Sequence, residues 1–121
     1  MKAQPIKLAD KFAQFEDYWH PRIIGELNGQ MVKIAKVKGD FVMHHHVNED
    51  ELFYVVKGTL YIETNDQILQ LNEGDMTIIP RGVDHRPYAP DECHIMMFEP
   101  ASTVNTGSKR NDLTHLDLDK I

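Results

Sequence analysis

The chain has one cysteine, Cys93, among 121 residues. An intramolecular disulfide is therefore excluded, and the fold must rest on packing. No apolar run approaches the roughly 20 residues of a membrane span. The opening residues, MKAQPIKLADKFAQF, contain no apolar stretch of signal-peptide length. The expected setting is the cytoplasm, with no membrane partner. Basic charge is scarce as well: 13 Lys and Arg stand against 19 Asp and Glu, for a net charge of −6. Two adjacent basic residues, Lys109 and Arg110, make no patch. Nucleic acid is excluded as a partner because phosphate contacts need a basic face. Internal repeats and low-complexity segments are absent. So is any stretch of helical period between the β-like runs, which argues against parallel βαβ units.

What is present suits one globular domain, residues 1–121, at 41% hydrophobic and 26% charged. Leu8, Phe12, Phe15 and Trp19 lie on one stripe at helical spacing, after Pro5 and before His20-Pro21. That pattern predicts a short helix over about 6–18. From Ile23 the pattern changes. Short β-branched and aromatic runs alternate with turn signals at Asn28-Gly29, Gly39-Asp40, Lys57-Gly58, Asn65-Asp66, Gly74-Asp75 and Arg81-Gly82. This cadence predicts an all-β sandwich or barrel over about 23–100. The extension, 101–121, is polar until Leu113, Leu116, Leu118 and Ile121. It is expected to pack along the surface or against a partner subunit, a free tail being the rival reading.

A two-residue turn at Lys57-Gly58 would fold 51–56 against 59–64, pairing Phe53 with Ile62 and Glu51 with Thr64. Glu51, Phe53, Val55, Leu60 and Ile62 would then share one face. That face is apolar except for Glu51. A carboxylate there is costly unless it is paired or binds a cation. The alternative leaves Glu51 at the strand end, in water.

Three histidines favour the cation. His44 and His46 are two apart, so a strand points both to one face. Glu51 follows closely, and His85 comes after Pro80-Arg81-Gly82. Imidazole nitrogens with one carboxylate oxygen form a ligand set for a divalent transition metal. By alternation His45 points the other way, into a packing or surface hydrogen-bonding role. Glu49 and Asp50 flank Glu51 as alternative carboxylates.

The segment GDFVMHHHVNEDELFYVVKG resembles the first motif of the cupin superfamily, with Gly39, His44, His46, Glu51 and Gly58 in the motif positions. The segment GDMTIIPRGVDHRPYA resembles the second, with Gly74, Pro80, Gly82 and His85. Two departures stand out. Four residues rather than five separate Gly39 from His44, and Ala89 replaces the closing Asn. The stretch around Trp19, the phrase LNGQMVKIAKVKGDF and the phrase FEPASTVNTG are similar to small single-domain cupins of the group labelled mannose-6-phosphate isomerase-like. The resemblance implies an all-β fold, an antiparallel jelly-roll barrel with a short N-terminal helix. It also implies one divalent metal ion inside the barrel, commonly in a homodimer. The metal expected in the cell is iron or manganese, with zinc or nickel replacing it after purification.

A small-molecule ligand is the expected partner. Phe53 would line its pocket, and Arg81 and Arg86 would stand at the mouth to bind a carboxylate or phosphate. The competing assignment pairs both arginines with surface acids. A homodimer is expected because Phe12, Phe15, Trp19, Leu116 and Ile121 offer more apolar surface than one small barrel covers. Met43, Met96 and Met97 read as core filler, His94 as structural, His20 and His115 as surface residues. Three functions compete: a metal-dependent enzyme of sugar-isomerase or dioxygenase type, a non-catalytic ligand-binding or sensing module, and a barrel with a vestigial site. Fold alone does not choose among them.

Overall fold

The computed structural model describes residues 2–121. In chain order its elements are α1 (Leu8–Phe12), β1 (Arg22–Leu27), β2 (Gln30–Asp40), β3 (Glu51–Lys57), β4 (Leu60–Thr64), β5 (Ile68–Leu71), β6 (Met76–Ile79) and β7 (His85–Pro100). All strand pairs are antiparallel. The sheet runs β1-β2-β7-β3-β6, with β4 bridging β5 and β7. Asn28-Gly29 forms the two-residue connection that sets Leu27 opposite Gln30.

The long strand β7 organises the barrel. One edge of β7 pairs with β2 along most of its length, from Gln30 opposite Pro100 to Asp40 opposite Tyr88. The other edge takes β4 beside its first residues and β3 beside its last. Register shifts at Val37/Gly39 and at Val55/Lys57 lie beside the same stretch of β7. Such irregularities bend strands and let a sheet close.

This topology corrects the proposed hairpin. β3 and β4 do not pair with each other; each pairs with β7. Lys57-Gly58 is a corner between two segments on one edge, not a reversal. The reason is the length of β7, which gives both segments a ladder partner. The shared face survives, because Glu51, Phe53, Val55, Leu60 and Ile62 are all buried. With Ala35, Val37, Cys93, Ile95 and Met97 they form the barrel interior.

The N-terminal expectation also needs correction. The helix is one short turn, Leu8–Phe12, not 6–18. Phe12 and Phe15 pack with Ile24 and Ile34 in a second cluster outside the sheet, joined by Leu8 and Ile121. Trp19 leaves this stripe. Its backbone has φ 60°, and its N–H donates to the Lys36 carbonyl at 2.9 Å. That docking turns the indole inward, where it stacks on Phe41 with ring centroids 4.8 Å apart. Its Nε1 donates to the Lys38 carbonyl. A continued helix would have kept Trp19 outside with Phe12.

The C-terminal extension folds back on the barrel. Thr103 and Thr106 are buried, and Leu113 packs against the interior cluster. The chain end pairs with β1, where Ile23 donates to the Asp119 carbonyl and Ile121 donates to that of Ile23. Phe12, Phe15 and Trp19 are thus covered by this chain itself. Of the residues invoked for a dimer, Leu116 alone stays strongly exposed, at 65%.

Candidate metal centre

The segment carrying His44 and His46 is mostly irregular, with His44 in an isolated bridge to His85. Each of these two residues donates its N–H to the other's carbonyl, at 3.0 and 2.8 Å. That places the imidazoles side by side, with ring centroids 4.3 Å apart. His46 is tied in by Gly82, whose N–H donates to its carbonyl. Glu51 opens β3 opposite Ile79 of β6. The ligating atoms of His44, His46, Glu51 and His85 all lie within 4.8 Å of one another, and all four residues are buried.

The donor set fits a divalent ion. Nδ1 of His44 donates to the Val42 carbonyl and Nδ1 of His85 to the Val83 carbonyl, each at 2.9 Å. A carbonyl can only accept, so the proton sits on Nδ1 and the Nε2 lone pair is left for a metal. His44 Nε2 and His46 Nε2 are buried without a hydrogen-bond partner. Nε2 of His85 and of His46 lie 3.2 and 3.4 Å from Glu51 Oε1. Metal bonds of about 2.1 Å put neighbouring ligand atoms on one ion roughly 3–3.5 Å apart. A bare imidazole lone pair facing a carboxylate oxygen at this distance needs a cation between them.

Burial disfavours charge on Glu51, but the His46 and His85 imidazoles beside its carboxyl outweigh it and hold the group well below its usual range. Burial pushes His44 down to about 4, with the neighbouring His85 adding to the effect. An unfolded histidine titrates near 6.5. Between those values the unfolded chain binds a proton that folded His44 refuses, so stability falls as pH falls and is fully present above 6.5. In metal-free protein, wild type is therefore expected to lose roughly 3 kcal/mol relative to His44→Gln between pH 6.5 and 4. Urea unfolding of both proteins across that range checks it. A difference that does not change with pH would refute it.

His45 turns outward, as alternation predicts, and its Nδ1 donates to Asp84 Oδ1 at 2.9 Å. Phe53 lies edge-on to His85 and lines a cavity of about 40 Å³. That space accepts a few water-sized groups. Its wall carries His44 and Glu51 beside Val37, Phe41, Ile95 and Met97. Arg81 and Arg86 do not line it. Arg81 is exposed and pairs with Asp50, while Arg86 bridges Glu63 and Asp40 and lies over Tyr88. The expectation that they stand at the pocket mouth is corrected: both guanidiniums are held by acids on the outer surface. Burial pushes the Cys93 thiol up to about 12, which leaves it unreactive. His94 stacks on Phe12 in the outer cluster, and His20 stacks on His115.

Two residues that sequence reasoning missed complete the interior. Glu99 lies on the cavity wall, and Lys33 Nζ sits 3.0 Å from its Oε1, both side chains only 3% exposed. Burial and the Glu51 carboxylate push Glu99 well above the usual carboxylate range. Strand parity was the available signal. Glu99 continues the inward series Cys93, Ile95, Met97, and Lys33 precedes Ala35 and Val37.

Fold and site together define a small antiparallel β-barrel with an interior His–His–Glu–His group. The chain belongs to the cupin domain family, whose model matches residues 30–99. It is similar to the crystal structure of a cupin-2 domain containing protein from Shewanella frigidimarina, at 47% identity and a TM-score of 0.78 over 78% of this chain and 93% of that one. Protein NMB1881 from Neisseria meningitidis superposes with a TM-score of 0.74 at 28% identity, over 81% of this chain and all of that one. The uncharacterised protein YdbB of Bacillus subtilis is 39% identical over 64 residues, which span 52% of this chain and 57% of YdbB. No helix among the described residues is long and apolar enough to cross a membrane.

Proposed function

We propose that this chain is a metal-dependent cupin enzyme acting on a small molecule. The observation that carries this reading is the cavity whose wall includes His44 and Glu51. A metal group sealed on all sides would be structural, whereas catalytic sites keep a face open. A divalent ion held there would supply Lewis acidity at the cavity. Iron or manganese is the ion proposed for the cell, with zinc or nickel entering on purification.

Of the two reaction types, oxygen-dependent cleavage has the better support. The wall is mainly apolar, and no arginine reaches it to hold a phosphate. Isomerisation of a sugar phosphate, the reaction named in the label mannose-6-phosphate isomerase-like, would need such a cation. The test is elemental analysis of untagged protein, followed by loading with Fe(II) or Mn(II) and a screen for oxygen uptake and for sugar isomerisation. Oxygen uptake dependent on loaded metal and on one added small molecule is the expected result. A loaded protein that retains a ligand without turnover would replace this reading with the binding-module one.

The cytoplasm is the compartment we propose, supported by the single buried, unpaired cysteine. A homodimer is also proposed, on a surface other than the one first considered. Met76 and Ile78 are about half exposed on the edge strand β6. Light scattering is expected to give twice the chain mass of 14.0 kDa, and a monomer mass at micromolar concentration would count against it.

A further inference from the structure

Two segments far apart in sequence build one side of the cavity wall. Trp19 and Pro21 come from the chain ahead of β1, and Asn105 comes from the C-terminal extension. None of the three lies on a strand. His20 stands between Trp19 and Pro21. Its ring stacks on that of His115, with centroids 3.8 Å apart and planes 4° from parallel.

The loop carrying His115 is tied to the wall residue Asn105. The His115 N–H donates to Asn105 Oδ1 at 3.0 Å, and Asn105 Nδ2 donates to the Leu113 carbonyl at 2.7 Å. The hydroxyls of Thr106 and Thr114 lie 2.7 Å apart and close the same loop. Thr106 is fully buried, which anchors this side. The side around His20 is held less firmly. Tyr18 is exposed, and Trp19 has a left-handed φ of 60°, a strained conformation that persists only while its contacts hold it. The stack thus joins the movable side of the wall to the fixed one.

We propose that the His20–His115 stack is a latch on the cavity, closed near neutral pH and released in mild acid to admit a ligand. This is regulation of the site read above as catalytic, and its role rests on that reading. A neutral imidazole stacks on a neutral or a protonated one. Two imidazolium rings at 3.8 Å repel. The charged groups facing the pair are Asp17, which accepts from His20 Nδ1 at 3.0 Å, and Arg22, which donates to Asp17 and to the His20 carbonyl. Asp17 is therefore shared between one ring and a guanidinium, and does not neutralise two rings. In the stack, burial and the neighbouring His20 hold His115 below the ordinary histidine value. Released into water, an imidazole titrates near 6.5. The open form binds a proton that the closed form refuses, so acid favours opening.

The test reads acrylamide quenching of Trp19, the single tryptophan of the chain. The whole chain is used, freed of metal by chelation so that metal release in acid does not enter. Between about pH 8 and about pH 5.5 the quenching constant of wild type is expected to rise about threefold or more, since a second ring charge shifts the open–closed balance by at least about fivefold. His115→Phe keeps a stacking ring that takes no charge. Its quenching should stay low and change by less than about 1.5-fold. His115→Gln removes the ring at every pH, and should be quenched at about pH 8 as strongly as wild type is at about pH 5.5. Circular dichroism should show the same β signal at both pH values. A rise that accompanies loss of that signal would overturn the proposal, because unfolding would explain it. An equal rise in wild type and His115→Phe would overturn it by assigning the response to another group. A wild-type constant that does not change with pH would overturn it while leaving the enzyme reading standing. The expected pattern in a protein without turnover would sink the enzyme reading and leave a latched binding cavity.

Discussion

Replacing His46 by alanine is expected to abolish tight metal binding, whereas replacing His45 leaves it nearly unchanged. The two residues are neighbours in sequence and differ in direction. His46 is buried in the ligand group with its Nε2 unpartnered. His45 faces Asp84, with a side chain 40% exposed. Loss of a residue that merely orients a ligand lowers metal affinity roughly 10–100-fold. Loss of a ligand should exceed that. His45→Ala removes an exposed contact with an acid, worth under about 1 kcal/mol, and touches no ligand atom. Elemental analysis of matched preparations, with competition titration for affinity, checks both. Equal loss in the two variants would mean that the ligand assignment is wrong. The same chemistry predicts metal release in acid, because the ligands must bind as bases.

Gly107→Ala is expected to be the most destabilising single-methyl change in the chain. Gly107 has φ +61°, and a Cβ there would drive into the backbone carbonyl oxygen of His45. Backbone cannot rotate away as a side chain can. Either the extension lifts or the His44–His46 segment shifts, and Thr106, fully buried beside Gly107, must follow. Left-handed backbone costs a non-glycine residue roughly 1–2 kcal/mol, and the clash adds to it. A total on the order of 3 kcal/mol should lower the melting temperature by about 10 °C. Gly74→Ala is the control, since it shares a positive φ, +87°, but has nothing within 4 Å of the added carbon. It should show the backbone cost alone. Similar melting temperatures for the two variants would show that the extension does not press on the metal-ligand segment. If it does press there, Gly107→Ala should also weaken metal binding, while Gly74→Ala should not.

Much of this molecule was legible as local pattern. Alternation within the runs 51–55 and 60–62 put Glu51, Phe53, Val55, Leu60 and Ile62 on one face before any partner was known, because a strand's parity is a property of its own backbone. Parity likewise separated His46 from His45. The ligand types and their spacing identified the group at His44, His46, Glu51 and His85, because donor chemistry belongs to the side chain. What local pattern did not carry was pairing. The Lys57-Gly58 turn looked like a hairpin because two adjacent apolar runs normally fold on each other. β7, some 30 residues downstream, offered both of them an edge instead. The stripe from Leu8 to Trp19 looked like one helix, yet Trp19 was claimed by the interior through the Lys36 and Lys38 carbonyls.

The sequence by itself thus determined an all-β barrel, the inward face of Glu51, Phe53, Val55, Leu60 and Ile62, and the four candidate ligands. Only the tertiary structure decided which acids hold Arg81 and Arg86, and that the extension covers the metal-ligand segment. It alone brought Lys33 on β2 to Glu99 on β7, beside Glu51 at the cavity. The physical reason is range. Propensity, parity and ligand chemistry act within a few residues, while ion pairing and cavity shape depend on groups that meet only when distant strands close.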